Sequence, residues 1–135
     1  MDVPESLAPV RIRLEQVRET VLTLHKALLD SERTAYEIGR GPIGSPSAFL
    51  HLLINDPAFA WLQPITTLIV QIDEALAAKR PPSTDRDFER LLNDTQALLS
   101  PSTQEGSFWT RYWAVVQRDP AVAVLHNQLQ KRFET

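Results

Sequence analysis

From Leu7 to Ile38 one residue series returns at alternating steps of three and four: Leu7, Val10, Leu14, Val17, Val21, Leu24, Leu28, Ser31, Ala35 and Ile38. Only Ser31 interrupts its apolar character. A strand presents every second residue to one side, so this spacing lines up a single face only in a helix. The stripe is a heptad seam, and Leu22, Leu29 and Tyr36 widen it as packing among several helices requires. The spacing predicts a helix over about residues 6–38, ended by Gly39 and Gly41, because glycine readily takes the left-handed conformation that follows a helix. A seam of this length must be covered by other helices, from the same chain or another one.

Three further amphipathic segments can supply that cover. After GRGPIGSP, Ser45 caps a second helix with Pro46 in its first position, and Phe49, Leu52, Leu53, Trp61, Leu62, Ile65, Leu68, Ile69, Ile72 and Leu76 share one side as far as Lys79. KRPPS stops it. Ser83 or Thr84 caps a third helix with Phe88, Leu91, Leu92, Thr95, Leu98 and Leu99 on its face. SPSTQEG leads to a fourth, from about Ser107 to Phe133, carrying Phe108, Trp109, Tyr112, Trp113, Val115, Val116, Val122, Leu125 and Leu129. No stretch alternates with period two long enough to make a strand. The expected fold is therefore all-α, one domain spanning residues 1–135, as an up-down-up-down four-helix bundle.

Asp-Pro interrupts two of these helices, at Asp56-Pro57 and Asp119-Pro120. Proline inside a helix removes a hydrogen bond, clashes with the preceding turn and pushes the residue before it out of α geometry. An aspartate suits that displaced position because its carboxylate can cap a new helix. The second helix is thus expected as 46–55 plus 57–79, and the fourth as 107–118 plus 120–133, with Pro64 adding a further kink. Sequence leaves open whether each break is a kink or a full turn. Asp56-Pro57-Ala58 with Ala60 and Leu62 matches Asp119-Pro120-Ala121 with Ala123 and Leu125 at a constant offset, a mild sign of duplication.

Helices two and four run in the same direction in such a bundle, so both breaks fall near one level, opposite Leu28. His25, Asp30, Glu32 and Tyr36 surround Leu28, and Phe59, Trp61, Trp109 and Trp113 come from the broken helices. In the simpler reading the breaks let helices bend around large rings while His25 and Glu32 lie on a solvated flank. In the sharper one they open a pocket lined by aromatic and a few polar groups. The candidate pocket or interaction residues are His25, Glu32, Tyr36, Asp56, Trp61, Trp109 and Trp113.

Much chemistry finds no pattern here. Cysteine is absent, which removes disulfides, thiolate nucleophiles and Cys-ligated zinc. His25, His51 and His126 fall on separate segments, and neither Glu-x-x-His nor His-x-x-x-His occurs, so no metal, cofactor or catalytic residue is assigned. Gly39, Gly41 and Gly44 precede a helix but lack the lysine and spacing of a phosphate loop. The net charge of −3 argues against nucleic acid, and Arg11, Arg13 and Arg18 alternate with Glu15 and Glu19 as on a solvated face. No apolar run is long enough for a membrane span and no signal segment is recognised, so a cytoplasmic location is expected.

The runs HKALLDSERTAYE, GPIGSP and LLINDPAFAWLQPITTLIVQIDEAL, with the later FW, Y and RDP, resemble a group of uncharacterised bacterial helical proteins. The resemblance implies a bacterial cytoplasmic helical domain and no activity. It draws attention to His25, Asp30, Glu32, Arg33, Tyr36, Asp56, Pro57 and Trp61. The expected function is a non-enzymatic protein-interaction or regulatory domain that binds a protein partner or itself. The alternative is a bundle, binding or enzymatic, with a small-molecule pocket at the level of the breaks.

Overall fold

The computed structural model describes residues 7–104 and 106–134, with side chains from residue 9 onward. The side chain of Leu7 in the seam and the whole of Glu105 in the SPSTQEG connection lie outside those limits. Among the described residues seven helices follow one another: α1 (Leu7–Arg40), α2 (Pro46–Asn55), α3 (Pro57–Ala60), α4 (Gln63–Ala77), α5 (Asp85–Leu98), α6 (Phe108–Arg118) and α7 (Pro120–Glu134). Among the described residues there is no strand, only an isolated bridge between Lys79 and Pro82.

The centre of the seam behaves as its spacing predicts. Leu14, Val17, Val21, Leu24 and Leu28 are fully buried, each stabilising the fold by roughly 1.5–3 kcal/mol through removal from water. Beyond Leu28 the expectation fails: Ala35 is exposed and Ile38 is 83% exposed, whereas Glu32 is buried. The reason is periodicity. A straight helix repeats every 3.6 residues, so a strict heptad row drifts off the packed face by about 20° per heptad. The buried stripe therefore continues by steps of four, from Leu28 to Glu32 and the half-buried Tyr36. Helix α1 also runs through Gly39; Gly41, with φ 87°, ends it by donating its N–H to the Glu37 carbonyl at 2.8 Å.

Helices α4, α5 and α7 pack along α1. His25 meets Thr66, Arg18 meets Asp73 and Arg11 reaches the Leu76 carbonyl, so α4 runs antiparallel to α1. Arg118, two residues before α7 begins, meets Glu32, while within α7 Arg132 donates to Thr20 Oγ1 and the Phe133 carbonyl accepts from Arg13, which makes α7 antiparallel as well. Arg11, Arg13 and Arg18 therefore also tie helices together, while Arg11 keeps the expected surface pairing with Glu15 at 3.6 Å. Thr84, and not Ser83, caps α5: its hydroxyl accepts from the Asp87 N–H while the Asp87 carboxylate accepts from the Thr84 N–H.

Both Asp-Pro steps end one helix and begin the next. Asp56 N–H donates to the Leu52 carbonyl and Asp119 N–H to that of Val115, each at 2.9 Å, closing the helix before. Asp56 Oδ1 then accepts from the Ala58 N–H at 2.9 Å, and Asp119 Oδ1 from the Ala121 N–H at 3.0 Å, opening the helix after. The second step is a full reversal. Tyr112 and His126 would lie about 21 Å apart along a straight helix, yet their side chains share a 2.7 Å hydrogen bond. The first step also turns the chain, bringing the Phe49 and Phe59 rings to 5.5 Å. Pro64 marks more than a kink: α3 stops at Ala60, and α4 starts at Gln63 after a turn with no side-chain cap. The segment expected as one broken helix is thus three helices, of which α2 packs chiefly on α3.

Candidate functional site

Glu32 occupies the level at which the two breaks meet α1. It is 8% exposed. A carboxylate so buried needs charged or hydrogen-bonded partners, and three converge on it. The indole N–H of Trp61, from the turn after α3, donates to Oε2 at 2.9 Å. Arg118, the last residue of α6, is bonded to Oε1, and Arg111 stands 3.7 Å from Oε2. Arg111 also lies 5.4 Å over the Trp61 ring, so its charge meets both the carboxylate and a π face. The reading of Glu32 as part of a solvated flank is overturned. Four-residue steps carry it onto the packed face, and α6 delivers the cations that make burial tolerable.

The aromatic candidates form a chain leading away from this pair. Trp61 packs on Phe108 at 5.2 Å, and Phe108 stacks on Tyr112 at 5.7 Å. Trp109 stacks on Trp113 at 4.9 Å, and both flank His126. Tyr112 is fully buried, and its hydroxyl shares a 2.7 Å hydrogen bond with His126 Nδ1. Burial pushes the Tyr112 hydroxyl pKa up and holds that of His126 below its ordinary value, so both are neutral near pH 7. The cluster is mainly packing; Trp113 is the member left 37% exposed.

His25 lies elsewhere, facing α4. Its Nε2 is 3.0 Å from Thr66 Oγ1, and burial lowers its pKa. A cavity of about 210 Å³ opens beside this pair, lined by His25, Leu29, Leu53, Ile54, Phe59, Leu62, Gln63 and Thr66. Its walls come from α1, from α4 and from the α2–α3 arm, so the first break helps form it. Larger depressions, including one of about 670 Å³ between α4 and α5, are open surface grooves.

Two remaining candidates serve the arm itself. Tyr36 packs on Phe59 at 5.6 Å and lies beneath the Arg40 guanidinium. Asp56 is the α3 cap and pairs with Arg40 at 3.6 Å. Glu32 and Trp61 are thus brought together, Trp109 and Trp113 pair apart from them, and His25 lines a separate cavity. Sequence reading missed Arg111, Arg118, Thr66 and His126. The seven-residue spacing of Arg111 and Arg118 places both on one face of α6 and would have flagged them. Nothing local marks Thr66.

Among the described residues, no group of three or more His, Asp or Glu side chains is placed to hold a metal ion. No helix among them is long and apolar enough to cross a membrane. No family profile, curated protein or solved structure matches this chain.

Proposed function

We propose that this chain is a non-enzymatic protein-interaction domain that self-associates through α2. One observation carries the reading: α2, with sequence PSAFLHLLIN, is rich in large apolar residues, yet none is fully buried, and while Phe49, Leu52 and Leu53 are half-buried, Leu50 and Ile54 are left in water. Leu50 is 57% and Ile54 60% exposed, one turn apart on one face. Neighbouring apolar side chains left in water in this way mark contact surfaces. A second copy is the occupant with a matching face, because a two-fold axis packs the same patch against itself. Helices α1, α4, α5 and α7 are read as an up-down-up-down four-helix bundle that carries the arm, supported by the antiparallel ties from α1 to α4 and α7. The setting proposed is the cytoplasm of a bacterium, in keeping with the group the sequence resembles.

Sedimentation equilibrium tests the reading. The chain should dimerise at micromolar concentration, and Leu50→Glu with Ile54→Glu should give a monomer of unchanged helix content. A wild-type chain that stays monomeric at hundreds of micromolar would remove this function. A second reading, favoured by the cavity beside His25, makes the fold a receptor for a small molecule beneath α2.

A further inference from the structure

The cavity under α2 specifies a ligand by its size and by its polar end. An apolar cavity of about 150 Å³ holds benzene, so about 210 Å³ corresponds to one six-membered ring with a small substituent. Leu29, Leu53, Phe59 and Leu62 supply apolar walls for such a ring. Among the described residues no Lys, Arg, Asp or Glu lines the space.

The polar end is the His25–Thr66 pair, with Gln63 also on the wall. The Thr66 hydroxyl donates to the Leu62 carbonyl of its own helix at 3.3 Å. With that bond made, the Thr66 oxygen is the acceptor toward His25, which assigns the imidazole proton to Nε2. Nδ1 is left as an acceptor, and no described residue donates to it. A neutral ring in a wall without fixed charge asks for a hydrogen-bond donor, not for an anion.

We infer that this cavity binds a simple phenol, its ring against Leu29, Leu53, Phe59 and Leu62 and its hydroxyl donating to Nδ1 of His25. The inference rests on the receptor reading and adds the chemical class of the ligand. A hydrocarbon ring of the same size fills the walls but leaves the acceptor unpaired. An aromatic carboxylate would bury a charge that nothing in the wall neutralises.

Titration of the full chain at pH 7.5 with toluene, phenol and benzoate, followed by NMR, separates these cases. Phenol should bind about tenfold more tightly than toluene, the factor one well-made hydrogen bond supplies. Benzoate should bind weakest, and the shifts should centre on His25, Leu29, Leu53 and Phe59. His25→Phe should retain toluene and lose the preference for phenol. If that variant does not fold, Thr66→Val, which frees the imidazole from its anchor, should reduce the same preference. Equal binding of toluene and phenol, or tightest binding of benzoate, overturns the phenol inference while the receptor reading stands. Absence of shifts at these residues with all three probes overturns both.

Discussion

The two Asp-Pro steps begin with the same local structure and end in opposite tertiary roles. In each, the aspartate closes one helix through its N–H and opens the next through its carboxylate. At Asp119 the flanking helices both join the core: α6 buries Tyr112, Val115 and Val116, and α7 buries Val122 and Leu129 against α1. At Asp56 the preceding helix has half-buried residues but no fully buried one, and the following one lasts a single turn and fully buries Phe59 alone. A cap decides where a helix starts. Whether the helix then becomes core depends on what lies across from it.

The largest test of this contrast is packing. Tyr112→Ala removes a fully buried ring and a hydrogen bond, and should destabilise the fold by about 3–5 kcal/mol in denaturant unfolding. Leu50→Ala, on the matching helix before the first break, should cost less than about 0.5 kcal/mol in the monomer. Comparable losses at the two positions would mean that α2 is part of the core and that the contrast is mistaken.

The caps provide the next test. Asp119→Ala should cost about 1–2 kcal/mol, because α7 cannot restart on the face of α1 without that carboxylate. Asp56→Ala should fall nearer ~0.5 kcal/mol in global unfolding, with faster amide exchange confined to α2 and α3. Equal global losses would show the arm to be as firmly coupled to the core as α7.

The smallest expected effect concerns pH. Burial holds His126, beside the second break, and His25, beneath the arm, below the ordinary value of 6.5. Above that value the rings are neutral in both folded and unfolded chains and contribute no slope. As pH falls below it, the unfolded chain takes up protons that the folded chain resists, so stability declines. Replacing either histidine by Gln should flatten the fall in stability measured between pH 7 and 5. A slope unchanged in both variants would refute the assignment of neutral buried rings.

The sequence by itself determined the helices and most of their ends. The three-four spacing of Leu14 to Leu28 admits only one buried face, Asp-Pro forbids a continuous helix, and Ser45, Asp56 and Asp119 cap where their chemistry requires. These are effects of a few neighbouring residues, set by backbone geometry, and so they are legible along the chain. Only the tertiary structure decided that Glu32 is buried and Ile38 is not, that His25 lines a cavity, and that α2 stands as an arm. Each of those outcomes depends on a partner far away in sequence: Arg118 for Glu32, Thr66 for His25, and for Leu50 and Ile54 the absence of an opposing helix among the described residues. Charge neutralisation and burial act through distance in space, and spacing along α1 or α2 alone carries no record of it.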